Sequence, residues 1–251
     1  MIDIIYTKMA VPDSCFLGKR IFKRLFLENA KLTAADKKAF RDDIYTITWQ
    51  YTLKPITIQI LAYEDDQREY HEVAILQVDM KTFMRTNRIA EIIHRAIPYP
   101  LIVVFSFENS CALSVAHKRF SQAEKEAIVA DEFHSTDWID LANPSAVQKD
   151  FINSISVLDL PQTHFYAFYS AFVDRIIALE CARLTGEYRI EPSGKVKSRR
   201  ADRLTDCIAL EMQIAELRTA IKKETQFNRK VELNIKMKKL EQELEKKTAF
   251  L

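Results

Sequence analysis

The chain has 251 residues, of which 48% are hydrophobic and 29% charged, with a formal net charge of +2. That balance supplies apolar material for a real core and no overall field that would draw the chain to nucleic acid. Three glycines are too few for the usual phosphate-cradling loops, which need glycine for close backbone approach.

Residues 1–30 interleave Phe16, Ile21, Phe22, Leu25 and Phe26 with Lys19, Arg20, Lys23 and Arg24. Thr33 with Asp36 three residues on predicts a capped helix running through Phe40. Ile44–Tyr51 is dense in β-branched and aromatic residues and reads as a strand that Pro55 ends. Ile56–Ile60 alternates with period two and reads as a half-buried strand. Glu64–Glu69 is a polar turn, and His71–Val78 a third strand. Ile89, Ile92, Ile93 and Ile97 are spaced as on a helix over Arg85–Ile97, which Pro98 and Pro100 stop. Leu101–Phe105 is apolar throughout, as expected of a central strand buried on both faces. Asn109 and Ser110 then turn into a strand over Ala112–His117. This order predicts an α/β fold, a mixed sheet with flanking helices.

The second half reads as helical. Gln162–Leu184 places Phe165, Phe168, Tyr169, Phe172, Ile176 and Leu179 on one side, with Gly186 suited to the position after the helix end. The expected division is an α/β body over 1–186, a basic linker over 187–200, and a helical tail over 201–251. From Glu187 onward there are 16 basic against 11 acidic residues, so the tail is mildly basic and the body mildly acidic. In the tail, Leu210, Ile214, Leu217 and Ile221 alternate spacings of four and three, as coiled-coil seam positions do. The register continues through Glu224, Asn228 and Val231. A second one then runs through Leu233, Met237, Leu240 and Leu244. The change of phase near Gln226–Arg229 is either a stutter in one coiled-coil helix or the bend of an antiparallel helical hairpin. On either reading the seam is narrow and needs a partner helix, and a polar Asn228 on it would set register.

Cys15, Cys111, Cys181 and Cys207 are far apart and form no CxxC pair, which fits reduced thiols in a cytosolic protein. Met1–Tyr6 has none of the regions of a signal peptide. No window approaches 18 uninterrupted apolar residues, so no membrane span is expected.

Candidate chemistry is sparse. Asp79-Met80-Lys81 at a strand end, with Asp65 or Asp66 upstream, matches the acid-x-Lys pattern in which carboxylates hold a divalent metal and a lysine sits near the attacking water. It is short and frequent by chance, and a solvated strand end is the plainer reading. The five histidines show no ligand spacing, and neither a metal nor a cofactor is expected. Lys195, Lys197, Arg199, Arg200 and Arg203 are the candidates for neutralising phosphates without reading sequence; a solvated linker is the plainer alternative. Thr136-Asp137-Trp138 reads either as a recognition loop or as a capped turn with a packed tryptophan.

Asn29–Leu32, Asp42-Asp43-Ile44, Ile47–Tyr51, Ala96–Pro100, Thr136–Trp138 and above all Gln226–Asn234 resemble an uncharacterised bacterial and archaeal family known only as a domain of unknown function. At position 137 this chain has Asp where the resemblance leads one to expect Glu. Members of that family tend to be encoded beside DNA methyltransferases and helicases in restriction-like or anti-phage defence islands. The resemblance therefore implies a setting and no catalytic residues. The resulting expectation is a non-catalytic interaction subunit of a DNA-modification or defence assembly. Leu210, Ile214, Leu217, Ile221, Val231, Leu233, Leu240 and Leu244 would form its seam. The partner would be a protein such as a methyltransferase or helicase, or a second copy of the chain. A metal-dependent nuclease and a DNA-binding adaptor acting through the basic linker are the alternatives.

Overall fold

The computed structural model describes residues 2–29, 32–121, 128–191 and 194–251, and their side chains except at Asn29 and 194–199. The chain forms two compact units, Met1–Leu179 and Glu180–Leu251. The helices are α1 (Asp3–Met9), α2 (Arg24–Asn29), α3 (Ala34–Asp42), α4 (Pro55–Ile58), α5 (Thr86–Ala96), α6 (Ala146–Ser154), α7 (Phe165–Thr185), α8 (Gly194–Lys223) and α9 (Phe227–Thr248). The strands are β1 (Phe16–Ile21), β2 (Ile44–Leu53), β3 (Tyr63–Glu64), β4 (Glu69–Tyr70), β5 (Val73–Met80), β6 (Leu101–Phe107), β7 (Ser110–Phe120), β8 (Ile128–Ser135) and β9 (Ile139–Asp140).

The first unit is built on a mixed sheet ordered β1-β2-β5-β6-β7-β8, with β9 also pairing β7; β3 and β4 form a separate hairpin. Within this sheet β5 and β6 run parallel, with Ala74 opposite Leu101 and Asp79 opposite Ser106. α5 makes the crossover that parallel neighbours need. Because successive residues point to opposite faces, Ala74, Leu76, Val78 and Met80 pack with Leu101, Val103 and Phe105 against Phe26, Phe40, Ile89 and Ile93 of α2, α3 and α5. Ile75, Ile102, Val104, Leu113 and Val115 alternate with these and are also fully buried. α7 anchors to the sheet through Tyr169, whose hydroxyl donates to Leu101 O at 2.7 Å and accepts the Ala116 N–H at 3.0 Å.

The capping box at Thr33 and Asp36 forms as expected, with both reciprocal bonds present. The two buried carboxylates at the ends of α3 are each gripped by an arginine: Asp36 by Arg88 at 2.8 and 2.9 Å, Asp43 by Arg85 at 2.6 and 2.7 Å. Gly186 closes α7 at φ +80°, its N–H bonded to Ala182 O at 2.8 Å. The aromatic side of that helix, from Phe165 to Leu179, is buried as the spacing requires.

Two expectations are corrected. Ile56–Ile60 is not a strand. Pro55 occupies the first helical position, where its missing N–H costs nothing, and starts the single turn α4, leaving Ile56 89% exposed. The supposed linker over 187–200 becomes helical by Gly194, so the tail helix begins earlier than residue 201.

In the second unit α8 and α9 pair as an antiparallel hairpin, the second of the two readings of the tail. Arg218–Glu241 at 2.9 Å and Asp206–Lys247 at 2.6 Å cross between them. To within a turn, these pairs level Leu210 with Leu244, Ile214 with Leu240, Leu217 with Met237, and Ile221 with Leu233. The bend at Glu224–Gln226 needs neither proline nor glycine. The Glu224 carboxylate accepts the N–H groups of Thr225 and Gln226 at 2.8 and 2.9 Å, and the N–H of Gln226 is a donor that the start of α9 would otherwise leave orphaned. Asn228 lies exposed in the first turn of α9, off the seam between α8 and α9.

Candidate functional site

The acid-x-Lys pattern falls at the end of β5, and its surroundings follow from strand register. Asp79 is directly opposite Thr46 on β2 and Ser106 on β6. Cross-strand partners share a face, so both hydroxyls meet the carboxylate. Ser106 Oγ donates to Asp79 Oδ1 at 2.6 Å and Thr46 Oγ1 to Oδ2. Gln77, two residues back on the same face, adds its amide N–H to Oδ1 at 2.6 Å, and Gln50 donates to Gln77 Oε1 at 2.8 Å. The result is a half-buried polar strip across three strands. Tyr6 of α1 has a buried hydroxyl with no hydrogen-bond partner among the described residues. Burial pushes that phenol's pKa well up, and the charges of Tyr51 and Asp79 push it further.

Asp65 and Asp66 do not join this strip. They sit in the β3–β4 turn, which precedes the start of β5, whereas Asp79 is near its end. Six residues of extended chain separate Val73 from Asp79, ~20 Å at the rise of a strand. Asp65 is engaged locally, accepting the N–H groups of Gln67 and Arg68 at 2.8 Å and the Tyr63 hydroxyl at 2.7 Å. The hairpin it closes is fixed to β7 by Phe120 N–Gln67 O at 2.7 Å and to α7 by Arg68–Tyr166 at 2.6 Å. Asp79 and Asp65 or Asp66 therefore cannot share one metal ion, and among the described residues no group of three or more His, Cys, Asp or Glu is placed to hold one. Lys81 follows on from Asp79, is exposed, and docks its backbone N–H on Asp43 O at 2.7 Å.

Further buried titratable groups, which spacing did not reveal, lie on both faces of β7, Lys118 toward α5 and His117 toward α7. Lys118 is 2% exposed, and its ammonium donates to the carbonyls of His94 and, at 2.8 Å, Ile97 at the end of α5. That is favourable placement for a cation at a helix C-terminus, yet burial pushes its pKa down to about 7. His94 contacts Ser114 Oγ at 3.2 Å, and burial followed by the nearby Lys118 charge lowers it to about 3. His117 meets the Tyr70 hydroxyl at 2.8 Å, and burial, then Arg68, lowers it to about 4. Trp138 packs on Phe83 with ring centroids 5.0 Å apart, and the Thr136 hydroxyl accepts the Leu113 N–H at 3.0 Å. Thr136 is thus tied to β7, its own N–H donating to Leu113 O at 2.9 Å, and the Trp138 ring is packed.

Of the basic residues proposed for phosphate, the side chains of Lys195, Lys197 and Arg199 lie outside the described residues. Arg200 is 5% exposed and donates to Arg189 O, and Arg203 donates to Phe250 O at 2.6 Å. Burial leaves Arg200 little access to a phosphate, whereas Arg203 is exposed.

The seam residues occupy the hairpin unevenly. Leu210 and Ile214 are buried, and Leu217, Ile221, Leu233, Met237, Leu240 and Leu244 are half-buried. α9, 22 residues long, has no buried residue at all. Phe227, Val231 and Ile235, spaced by four along it, are 77%, 40% and 52% exposed. They make an apolar ridge beside the seam that the two-register reading missed, because Ile235 belongs to neither register. No helix among the described residues is long and apolar enough to cross a membrane.

The family model for the domain of unknown function DUF4391 matches residues 9–244, nearly the whole chain, and the chain belongs to that family. No curated protein and no solved structure matches it.

Proposed function

We propose that this member of the family is a non-catalytic interaction subunit of a multi-protein DNA-modification or anti-phage defence assembly, pairing with another chain through its C-terminal helices. The observation that carries this reading is α9. Helices in proteins draw most of their stability from burying an apolar face, and this one buries no residue despite carrying Phe227, Val231, Leu233, Ile235, Met237, Leu240 and Leu244. The seam takes up one side of the helix. The Phe227–Val231–Ile235 ridge is the side left for a partner helix, which would complete a bundle by packing ridges into grooves. The setting follows from the resemblance, whose members sit beside methyltransferases and helicases; a subunit of either is the partner to expect.

The test is a pair of double substitutions. Val231→Glu with Ile235→Glu places charges on the ridge, where the side chains are exposed, and should abolish partner binding while leaving helicity unchanged. Leu217→Glu with Ile221→Glu places them in the seam and should unfold the hairpin itself, seen as lost ellipticity at 222 nm. Light scattering distinguishes a hetero-partner from self-association. Binding that survives the ridge substitutions with full stoichiometry would sink the proposal.

A further inference from the structure

The edge of the sheet carries a basic and aromatic patch that neither the tail nor the Asp79 strip accounts for. β1 is the terminal strand of the sheet, and its residues Phe16 to Arg20 are all exposed. Arg20 pairs with Thr48 and Lys19 with Trp49, so the two cations project on opposite faces of the edge. Just beyond β1, Lys23 reaches Ile44 O at 2.5 Å, while Lys81 docks on Asp43 from the β5 side. The two lysines thus flank the start of β2. Tyr45, next along β2, is 66% exposed, and Phe22 is 66% exposed with the Arg20 guanidinium 6.0 Å from its ring centroid.

The charges are uncompensated. Among the described residues no carboxylate lies within 4.0 Å of Lys19, Arg20, Lys23 or Lys81. The acids nearby are engaged elsewhere: Asp42 with Arg41, Asp43 with Arg85, and Asp79 with its three neutral donors. Crowding is evident at Lys23, whose pKa is lowered by burial and then by the Lys81 and Arg20 charges, with Asp42 opposing. A surface that concentrates unpaired cations around two exposed rings stores repulsion and apolar exposure that a suitable ligand relieves.

We propose that this patch binds single-stranded nucleic acid, with Lys19, Arg20, Lys23 and Lys81 taking phosphates and Phe22 and Tyr45 stacking on bases. Cations following a backbone, interleaved with aromatic faces, are the general means of holding unpaired strands, since every base offers a flat face. A duplex would leave both rings unused, because its bases are already stacked. An acidic peptide would use the cations but gains no stacking.

The experiment is fluorescence anisotropy of the full chain with a short labelled oligothymidylate across a salt series. Four phosphate contacts give a slope of log affinity against log salt of about −3, at ~0.7 per contact on single strands. The triple variant Lys19→Ala, Arg20→Ala, Lys81→Ala should bring the slope to about −1 and weaken binding at least ~10-fold. Phe22→Ala with Tyr45→Ala should leave the slope unchanged and weaken binding at least ~5-fold per ring. All five side chains are exposed, so unchanged melting temperatures certify the fold. The proposal is overturned by absent binding at low salt, or by binding that both variants retain. It is equally overturned if losses track substitutions at Lys195, Lys197 and Arg203 instead. Polyglutamate competing equally, with no effect of ring removal, would make the patch a protein-binding surface and sink it too.

Discussion

Asp79→Ala separates a structural carboxylate from a catalytic one. Its side chain receives three hydrogen bonds, from Thr46, Gln77 and Ser106. Bonds to a charged acceptor contribute ~1.5–3 kcal/mol each when well shielded. The residue is half-buried, so water can replace part of what is lost, and ~1 kcal/mol per bond is the appropriate figure. Asp79→Ala should therefore cost about 3 kcal/mol, which for a chain of this size lowers the melting temperature by ~6–12 °C. Asp79→Asn keeps an acceptor for Gln77 and Ser106, and the Thr46 hydroxyl can turn to accept the new amide N–H. Its cost should be about 1 kcal/mol. Thermal and urea unfolding of the Met1–Leu179 unit measure both. A cost below ~1 kcal/mol for the alanine variant would refute the reasoning. So would stabilisation of the wild type by Mg²⁺ or Mn²⁺ that Asp79→Asn abolishes, because the carboxylate would then be a metal ligand.

Acid should destabilise the body before its carboxylates titrate. His94 and His117 are held neutral in the fold, at about 3 and about 4, but bind a proton near 6.5 when unfolded. Their contribution is therefore complete above pH ~6.5 and declines below it, by up to ~1.4 kcal/mol per pH unit for each histidine. His117→Gln should flatten the stability profile between pH 6.5 and 5, and an unchanged slope would show that His117 does not titrate as described. Asp36→Asn breaks the bidentate Arg88 contact; because Arg88 is 43% exposed and can resolvate, the cost should be ~2–3 kcal/mol rather than the larger penalty of stranding a buried charge. Denaturant midpoints check it. Gly186→Ala, at φ +80° with nothing among the described residues within 4 Å of the added methyl, should cost ~1 kcal/mol from backbone strain alone.

Patterning made the central strands and the long aromatic helix legible. Ile44–Tyr51 is dense in β-branched and aromatic residues, Leu101–Phe105 is apolar throughout, and Phe165–Leu179 repeats apolar residues at helical spacing; each pattern reflects the burial that forms the element. The edges were hidden for the same reason. β1 is exposed up to Arg20 and β8 is mostly half-exposed, so neither has an apolar alternation to display. At Ile56–Ile60 the alternation was real, but Pro55 imposed a helical turn. In the tail, the phase break near residue 226 located the bend correctly. Only the structure distinguishes hairpin from stutter, because the residue that makes the turn is a glutamate capping two backbone N–H groups and not a proline or glycine. The acid-x-Lys site shows the opposite limit. Sequence proximity brought Asp65 and Asp66 into consideration, and strand direction places them at the far end of β5 from Asp79.

The measurement that tests the partner-binding role most directly is a tagged pull-down from the native host, comparing the full chain with the Val231→Glu, Ile235→Glu variant, each with and without nuclease. Recovery of a discrete protein partner by the wild type, resistant to nuclease and lost from the variant, is the predicted result. Recovery of the same partner by both proteins, or loss of all partners on nuclease treatment, would contradict it.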